Sequence, residues 1–316
     1  MEKIYDLIIL GGGPGGMSAG IYARQSRLDT LLIEKEGFGG QILTTNSITN
    51  YLGFENISGA ELSDRMHKHL ETTGIEIVRE EITKTILDSD IKEIFTHNNH
   101  YYARAVIIGI GTSIRKLGVE NESKFVGHGI SYSSIKDREK FENKVVAVVG
   151  GGNSAIEDAM YLSEKASKVY LIHRRQEFRA DALLVEQLHQ AIEKDHKIEL
   201  VLDSKPYALC GNETLEGLEI TYIPDSSTKK LSLDGIFVAI GRGADTDIID
   251  SQILRDSAGY IITDERMQTN CNGVYAIGDI RNTPLRQIVT ATSDGAIAAI
   301  TAMNYIKNLK FKGEKQ

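Results

Sequence analysis

The chain has 316 residues, 41% of them hydrophobic and 25% charged, which fits about two globular domains with buried cores. A formal net charge of −8 argues against non-specific nucleic-acid binding, which needs a basic field. No apolar run approaches the roughly 18 residues that span a bilayer, and two cysteines, Cys210 and Cys271, leave no disulfide framework and imply a reducing, cytoplasmic setting.

The amino-terminal MEKIYDLIIL runs straight into an apolar strand and leaves no room for a signal peptide. That strand, residues 6–10, carries Leu7-Ile8-Ile9-Leu10, the pattern of a buried parallel strand. Gly11-Gly12-Gly13-Pro14-Gly15-Gly16 follows, with Gly11, Gly13 and Gly16 on the G-x-G-x-x-G spacing. In that spacing Gly11 makes the tight turn, Gly13 lets the backbone approach a pyrophosphate, and Gly16 lets the next helix pack closely on the strand. The helix start aims its unsatisfied N–H groups and its positive dipole end at the same pyrophosphate. A second strand, residues 30–33, ends at Glu34, 18 residues past Gly16. That is close to where an acid binds ribose hydroxyls. The expectation is an adenine dinucleotide site.

Gly37-Phe38-Gly39-Gly40-Gln41 is another glycine turn, followed by a polar stretch at 44–50. Residues 58–73 are predicted to be helical, with Leu62, Met66 and Leu70 on one face and Gly74 ending it. A strand begins at 75–78, residues 80–104 alternate like a small antiparallel sheet, and 105–110 form a strand closed by Gly111.

The pattern then repeats. Residues 144–149 are a second apolar strand, and Gly150-Gly151-Gly152-Asn153-Ser154-Ala155 is a fingerprint of the G-x-G-x-x-A form. Gly11 to Glu34 and Gly150 to His173 both span 23 positions, so the acid of the first unit is replaced by His173-Arg174-Arg175. Glu34 would repel a 2′-phosphate, whereas Arg174, Arg175 and Arg179 offer it charge-assisted contacts. The first unit is therefore expected to take FAD or NAD, and the second NADPH. A closing segment has strands at 233–240 and 273–277, the turn Gly278-Asp279, and a long alanine-rich helix over 288–306. The eight histidines show no metal-ligand spacing, which disfavours zinc chemistry.

Two dinucleotide units, the first split by the second, with these motifs in this order, resemble the low-molecular-weight thioredoxin reductases over nearly the whole chain. The resemblance implies an α/β fold of two Rossmann-like dinucleotide-binding domains, the NADPH domain (116–244) inserted into the FAD domain (1–115 and 245–316). It implies FAD contacts from Gly11, Gly13, Pro14, Gly16, Glu34, Gly40, Gln41, Asn50, Gly111, Asp279, Gln287 and Ile288. Within that set Asn50 is expected near the isoalloxazine and Asp279 on the ribitol. It implies NADPH contacts from Gly150, Gly152, Asn153, Ser154, Ala155, His173, Arg174, Arg175 and Arg179. A homodimer is also implied.

The resemblance breaks at one segment. Where those reductases carry C-x-x-C and then Asp, this chain reads Ser133-Ser134-Ile135-Lys136-Asp137. Ser133 and Lys136 stand at the two cysteine positions, and neither side chain can do thiolate chemistry. Hydride transfer at flavin N5 needs no side-chain acid or base, so no catalytic residue and no metal are expected. The expected path runs from NADPH to FAD and then to an external acceptor such as ferredoxin, flavodoxin or a small oxidant. The thioredoxin-reductase-like ferredoxin–NADP⁺ reductases are similar in this respect. Two alternatives stand beside it, a disulfide reductase using Cys271 or a partner's cysteines, and a flavin redox sensor without turnover. Lys136, Arg138, Lys140 and the tail lysines Lys307, Lys310, Lys312 and Lys315 are candidate contacts for an acidic carrier.

Overall fold

Parallel strands covered on both faces need near-continuous aliphatic runs, and the first sheet is built from them. In the computed structural model, which describes residues 3–45, 47–244 and 246–313, β1 (Ile4–Leu10) pairs in parallel with β2 (Thr30–Glu34), Leu7 to Leu10 facing Thr30 to Ile33. Helix α1 (Pro14–Gln25) connects them. Helix α2 (Gly59–Glu71) begins at Ser58, whose hydroxyl accepts the Glu61 N–H at 3.2 Å, and it leads to β3 (Glu76–Arg79). Strands β4 (Ile82–Ile86), β5 (Lys92–Thr96) and β6 (His100–Ile108) close the order β3-β2-β1-β6-β5-β4, antiparallel from β6 to β4. A late strand, Val274–Ala276, lies parallel on the far half of β6.

Alternate side chains of β1 enter two cores. Leu7 and Ile9 meet Met17, Ala298 and Ala302 on one face, while Ile8 and Leu10 meet Leu31, Val106 and Val274 on the other. The C-terminal helix Ile288–Gly313 covers the first face beside α1. Small residues let the two backbones approach. A Cβ on Gly15 would stand 3.0 Å from the Ala291 carbonyl oxygen, and one on Gly295 would strike the Gly15 carbonyl.

The chain divides into two compact units, Met1–Ser113 with Gly243–Gln316, and Ile114–Arg242 between them. In the inserted unit, β7 (Ile130–Ser131), β8 (Val145–Gly150), α3 (Asn153–Ser163), β9 (Lys168–Ile172), α4 (Ala182–Asp195) and β10 (Ile198–Val201) follow one another. After them come β11 (Ser204–Gly211), β12 (Leu215–Tyr222), β13 (Thr228–Ser232) and β14 (Gly235–Ala239). The parallel sheet runs β10-β9-β8-β14-β7, and β11-β12-β13 form a separate antiparallel sheet. Val146, Val148, Ala155, Ile156 and Leu171 share one core, and Ala147, Val149, Leu218 and Ile236 another. The architecture is α/β with two Rossmann-like units, the second inserted into the first, as the sequence leads one to expect. No helix among the described residues is long and apolar enough to cross a membrane.

Candidate functional site

In the outer unit, the chain turns out of β1 with Gly11 at φ +103°, a conformation L side chains rarely adopt, and a Cβ there would stand 2.5 Å from the Gly109 carbonyl oxygen. A Cβ at Gly16 would strike the Gly11 carbonyl, so helix and strand are as close as the glycine spacing implies. Gly13 has open space where its Cβ would be, Pro14 occupies the first helical position, and no side chain caps α1. The first-turn N–H groups are thus left for an anion. Glu34 leaves β2 with its carboxylate accepting the Gly12 N–H at 2.6 Å and the Glu36 N–H at 2.9 Å. Each oxygen keeps a lone pair for a hydroxyl donor.

The remaining FAD residues of the sequence reading are tied by two sets of contacts in this unit, around one cluster in which Ile42, Tyr51 and Ile288 pack together. The Gly13 Cα lies 3.7 Å from where a Gly40 Cβ would stand. Next to Gly40, the Gln41 amide donates to Asp279 Oδ2 at 3.1 Å and to Thr112 Oγ1 at 2.9 Å, beside Gly111. Apart from these, Asn50 Nδ2 donates to Gln287 Oε1 at 3.1 Å, just ahead of Ile288. Sequence reasoning missed what holds Asp279 in place. Asp294, 7% exposed, accepts the Gly278 N–H at 3.0 Å and pairs with Arg281 at 3.3 Å, while Arg281 Nε donates to Thr263 at 2.7 Å. An acid inside the alanine-rich run 288–302 was the available signal.

In the inserted unit, β8 ends at Gly150, where a Cβ would strike the Ala239 carbonyl. Gly152 opens α3 with no side-chain cap and open space beside it, and Asn153, Ser154 and Ala155 form the first turn. His173 is 4% exposed, stacks on Phe178 with centroids 5.5 Å apart, and its Nε2 lies 3.2 Å from the Glu177 carbonyl. Burial is the main influence holding its pKa below the ordinary value; the Arg179, Arg175 and Arg174 charges add to it, against the Glu177 bond. Those three arginines are exposed and make no ion pair with any described residue. Three guanidinium groups on one turn without carboxylate partners suit a phosphate dianion.

Ser133 caps the helical turn Ser134–Asp137, its hydroxyl accepting the Lys136 N–H at 3.4 Å. Ser134 donates to Asp158, whose pKa burial raises. Asp137 accepts from Ser131 at 2.7 Å and pairs with Lys140 at 2.7 Å. Burial works to raise the Asp137 pKa, but these two bonds and the Lys140 and Lys136 charges carry it below the ordinary carboxylate value. Of the candidate carrier contacts, Arg138 is bound to Glu164 at 2.7 Å and Lys140 to Asp137, leaving Lys136 and Lys307 as exposed cations. Lys310, Lys312 and Lys315 lie outside the residues whose side chains are described. Cys271 is buried, 3.9 Å from Asp88 Oδ1, and burial followed by the Asp88 and Asp250 charges raises its pKa. Cys210 is half-buried on β11, 4.0 Å from Glu219.

A family model described as pyridine nucleotide-disulphide oxidoreductase matches residues 5–295. A thioredoxin reductase of Listeria monocytogenes is 38% identical, over 98% of this chain and 96% of that one. A Clostridium pasteurianum protein described as the 34.2 kDa protein in the rubredoxin operon is 37% identical, over 96% of this chain and 98% of its own. The crystal structure of Lactococcus lactis thioredoxin reductase in its FR conformation superposes with a TM-score of 0.82 at 35% identity, covering 96% of this chain and 99% of that one.

Proposed function

The chain belongs to the pyridine nucleotide-disulphide oxidoreductase family, in its thioredoxin reductase-like branch, and from that premise we propose an NADPH-dependent FAD oxidoreductase that passes electrons to an external acceptor without an internal dithiol. FAD and NADPH are the cofactors of this family. When bound, they supply hydride transfer from the nicotinamide to the flavin. The residues fit both groups. In the outer unit, open space at Gly13 and an uncapped α1 leave room and donors for a pyrophosphate, with Glu34 for ribose and Asp279, set by Gln41, for ribitol hydroxyls. In the inserted unit, Gly152 and the start of α3 offer the same to NADPH, and Arg174, Arg175 and Arg179 would hold its 2′-phosphate. The protein's part is to bind, orient and shield the reacting rings.

The observation that carries the acceptor reading is Ser133-Ser134-Ile135-Lys136, where the resembling reductases have two thiols. Cys271 is buried with a raised pKa, which disfavours thiolate attack. A small redox protein such as ferredoxin or flavodoxin is the proposed acceptor, and the relative named for a rubredoxin operon fits a carrier of that size. A second reading, reduction of thioredoxin, is favoured by the name of the Listeria relative. A homodimer is part of the proposal by resemblance.

Anaerobic stopped-flow mixing with NADPH and with NADH tests the entry of electrons. Rapid bleaching of the flavin is expected, with NADPH preferred. Turnover is then assayed with ferredoxin, flavodoxin and thioredoxin, for the wild type and for Cys210→Ser with Cys271→Ser. Carrier reduction untouched by the double substitution supports the dithiol-free path. Thioredoxin reduction that the double substitution abolishes would replace it with the second reading.

A further inference from the structure

The turn that carries Arg174, Arg175 and Arg179 is tied to its surroundings at several points. The Arg179 N–H donates to the Gly151 carbonyl at 2.8 Å, inside the glycine turn itself. Gln176 Nε2 donates to Asp203 Oδ2 at 2.6 Å, at the turn after β10. At the end of the arginine turn stands Asp181, the residue that precedes α4. The side chain of an aspartate there ordinarily accepts an N–H of its own helix, yet the Asp181 carboxylate makes no cap bond to α4, whose Leu184 and Val185 N–H groups reach the Asp181 main-chain carbonyl. Its carboxylate instead accepts Asn153 Nδ2 at 2.6 Å, and its own N–H donates to Asn153 Oδ1 at 3.0 Å. The reciprocal pair joins the end of the arginine turn to the first residue of α3. The Asn153 amide group, which the sequence reading assigned to the dinucleotide, is thereby bonded to Asp181 through both its nitrogen and its oxygen.

We propose that Asp181 is a positioning residue for nucleotide specificity: by holding Asn153 it clamps the arginine turn over the glycine turn, and so sets the preference for a 2′-phosphorylated adenosine. The proposal rests on reading Arg174, Arg175 and Arg179 as the 2′-phosphate site. Flexible arginines lose conformational freedom when they bind, and a turn already fixed at both ends loses less. Loosening it should therefore weaken recognition of the 2′-phosphate and spare the adenosine and 5′-phosphate, which belong to the glycine turn.

The test uses calorimetric titration of the intact protein with adenosine 2′,5′-bisphosphate and, separately, 5′-AMP. Asp181→Ser keeps a residue able to cap α4 and the main-chain N–H bond to Asn153 Oδ1 but removes the carboxylate that accepts the Asn153 amide, and Asp181→Asn keeps an oxygen to accept it. Expected is about tenfold weaker binding of the bisphosphate by Asp181→Ser, with 5′-AMP within about twofold and Asp181→Asn near wild type. Far-UV circular dichroism and the melting temperature confirm that both variants fold. A bisphosphate preference equal in Asp181→Ser and wild type would overturn the clamp while leaving the arginine reading intact. Parallel loss of both ligands would also overturn it, because Asp181 would then serve binding in general. A wild type that binds the two ligands equally would overturn the arginine reading and the clamp together.

Discussion

His173 shows how one side chain couples packing to charge. Its imidazole lies against the Gly151 backbone, where a Cβ would strike the ring. Burial, and then three neighbouring arginines, keep it neutral below the pH at which a free histidine would charge. In the unfolded chain the same group takes up its proton near pH ~6.5. Between that value and the lower folded one, the unfolded state binds more protons, so stability rises with pH there. As the pH falls from about 6.5, the native state therefore loses stability until the folded pKa is passed. Melting curves from pH 7.5 to 5 should show a steeper decline for the wild type than for His173→Gln, which keeps a donor for the Glu177 carbonyl but cannot ionise. Equal slopes would place the acid sensitivity elsewhere.

Among the elements, the pairing of α1 with the C-terminal helix is the most demanding contact described. Gly295 sits where any side chain would meet the Gly15 carbonyl and the Ala19 N–H. Ser18 adds a 2.7 Å bond to the Thr292 carbonyl. Gly295→Val is expected to lower stability by about 1–3 kcal/mol or more through overpacking, and to release FAD because α1 starts at the glycine turn. Exposed Ser293→Val should stay within about 0.5 kcal/mol. Urea unfolding and the flavin absorbance retained after desalting measure both. The strand, glycine turn and helix of each unit were legible in the sequence because steric contact at Gly11, Gly16 and Gly150 permits so few residues. The antiparallel sheet β11–β13 was not, since many of its residues are only partly buried and its apolar alternation is diluted. The C-terminal helix runs to Gly313, past the expected 306, because Lys307-Asn308 carries no apolar stripe to mark continuation. Asp294 and Asp181 escaped notice for another reason. Their partners, Gly278 with Arg281 and Asn153, are distant in sequence and come together only in the fold.

At the scale of the whole molecule, the inserted unit has its own parallel sheet and two cores, Leu171 and Leu218 each fully buried in one of them. Independent cores are what a separately folding domain requires. A fragment spanning residues 115–241 should therefore melt cooperatively by circular dichroism and bind adenosine 2′,5′-bisphosphate without the rest of the chain. A broad, non-cooperative melt would show that it depends on the outer unit.

The ends of that fragment are adjacent. The Arg115 N–H donates to the Gly241 carbonyl at 3.1 Å, so the insert leaves almost where it entered. This bond bears on the order of assembly. The outer unit must bring Val274 beside Val106 of β6 across a loop of 168 positions when the insert is unfolded, and across about 40 once it has folded with its ends joined. Loop closure scales with the logarithm of that length, and the difference is about 1 kcal/mol. Folding the middle first therefore shortens the search for both ends, and a chain interrupted at its centre has a loop only about a quarter as long left to close.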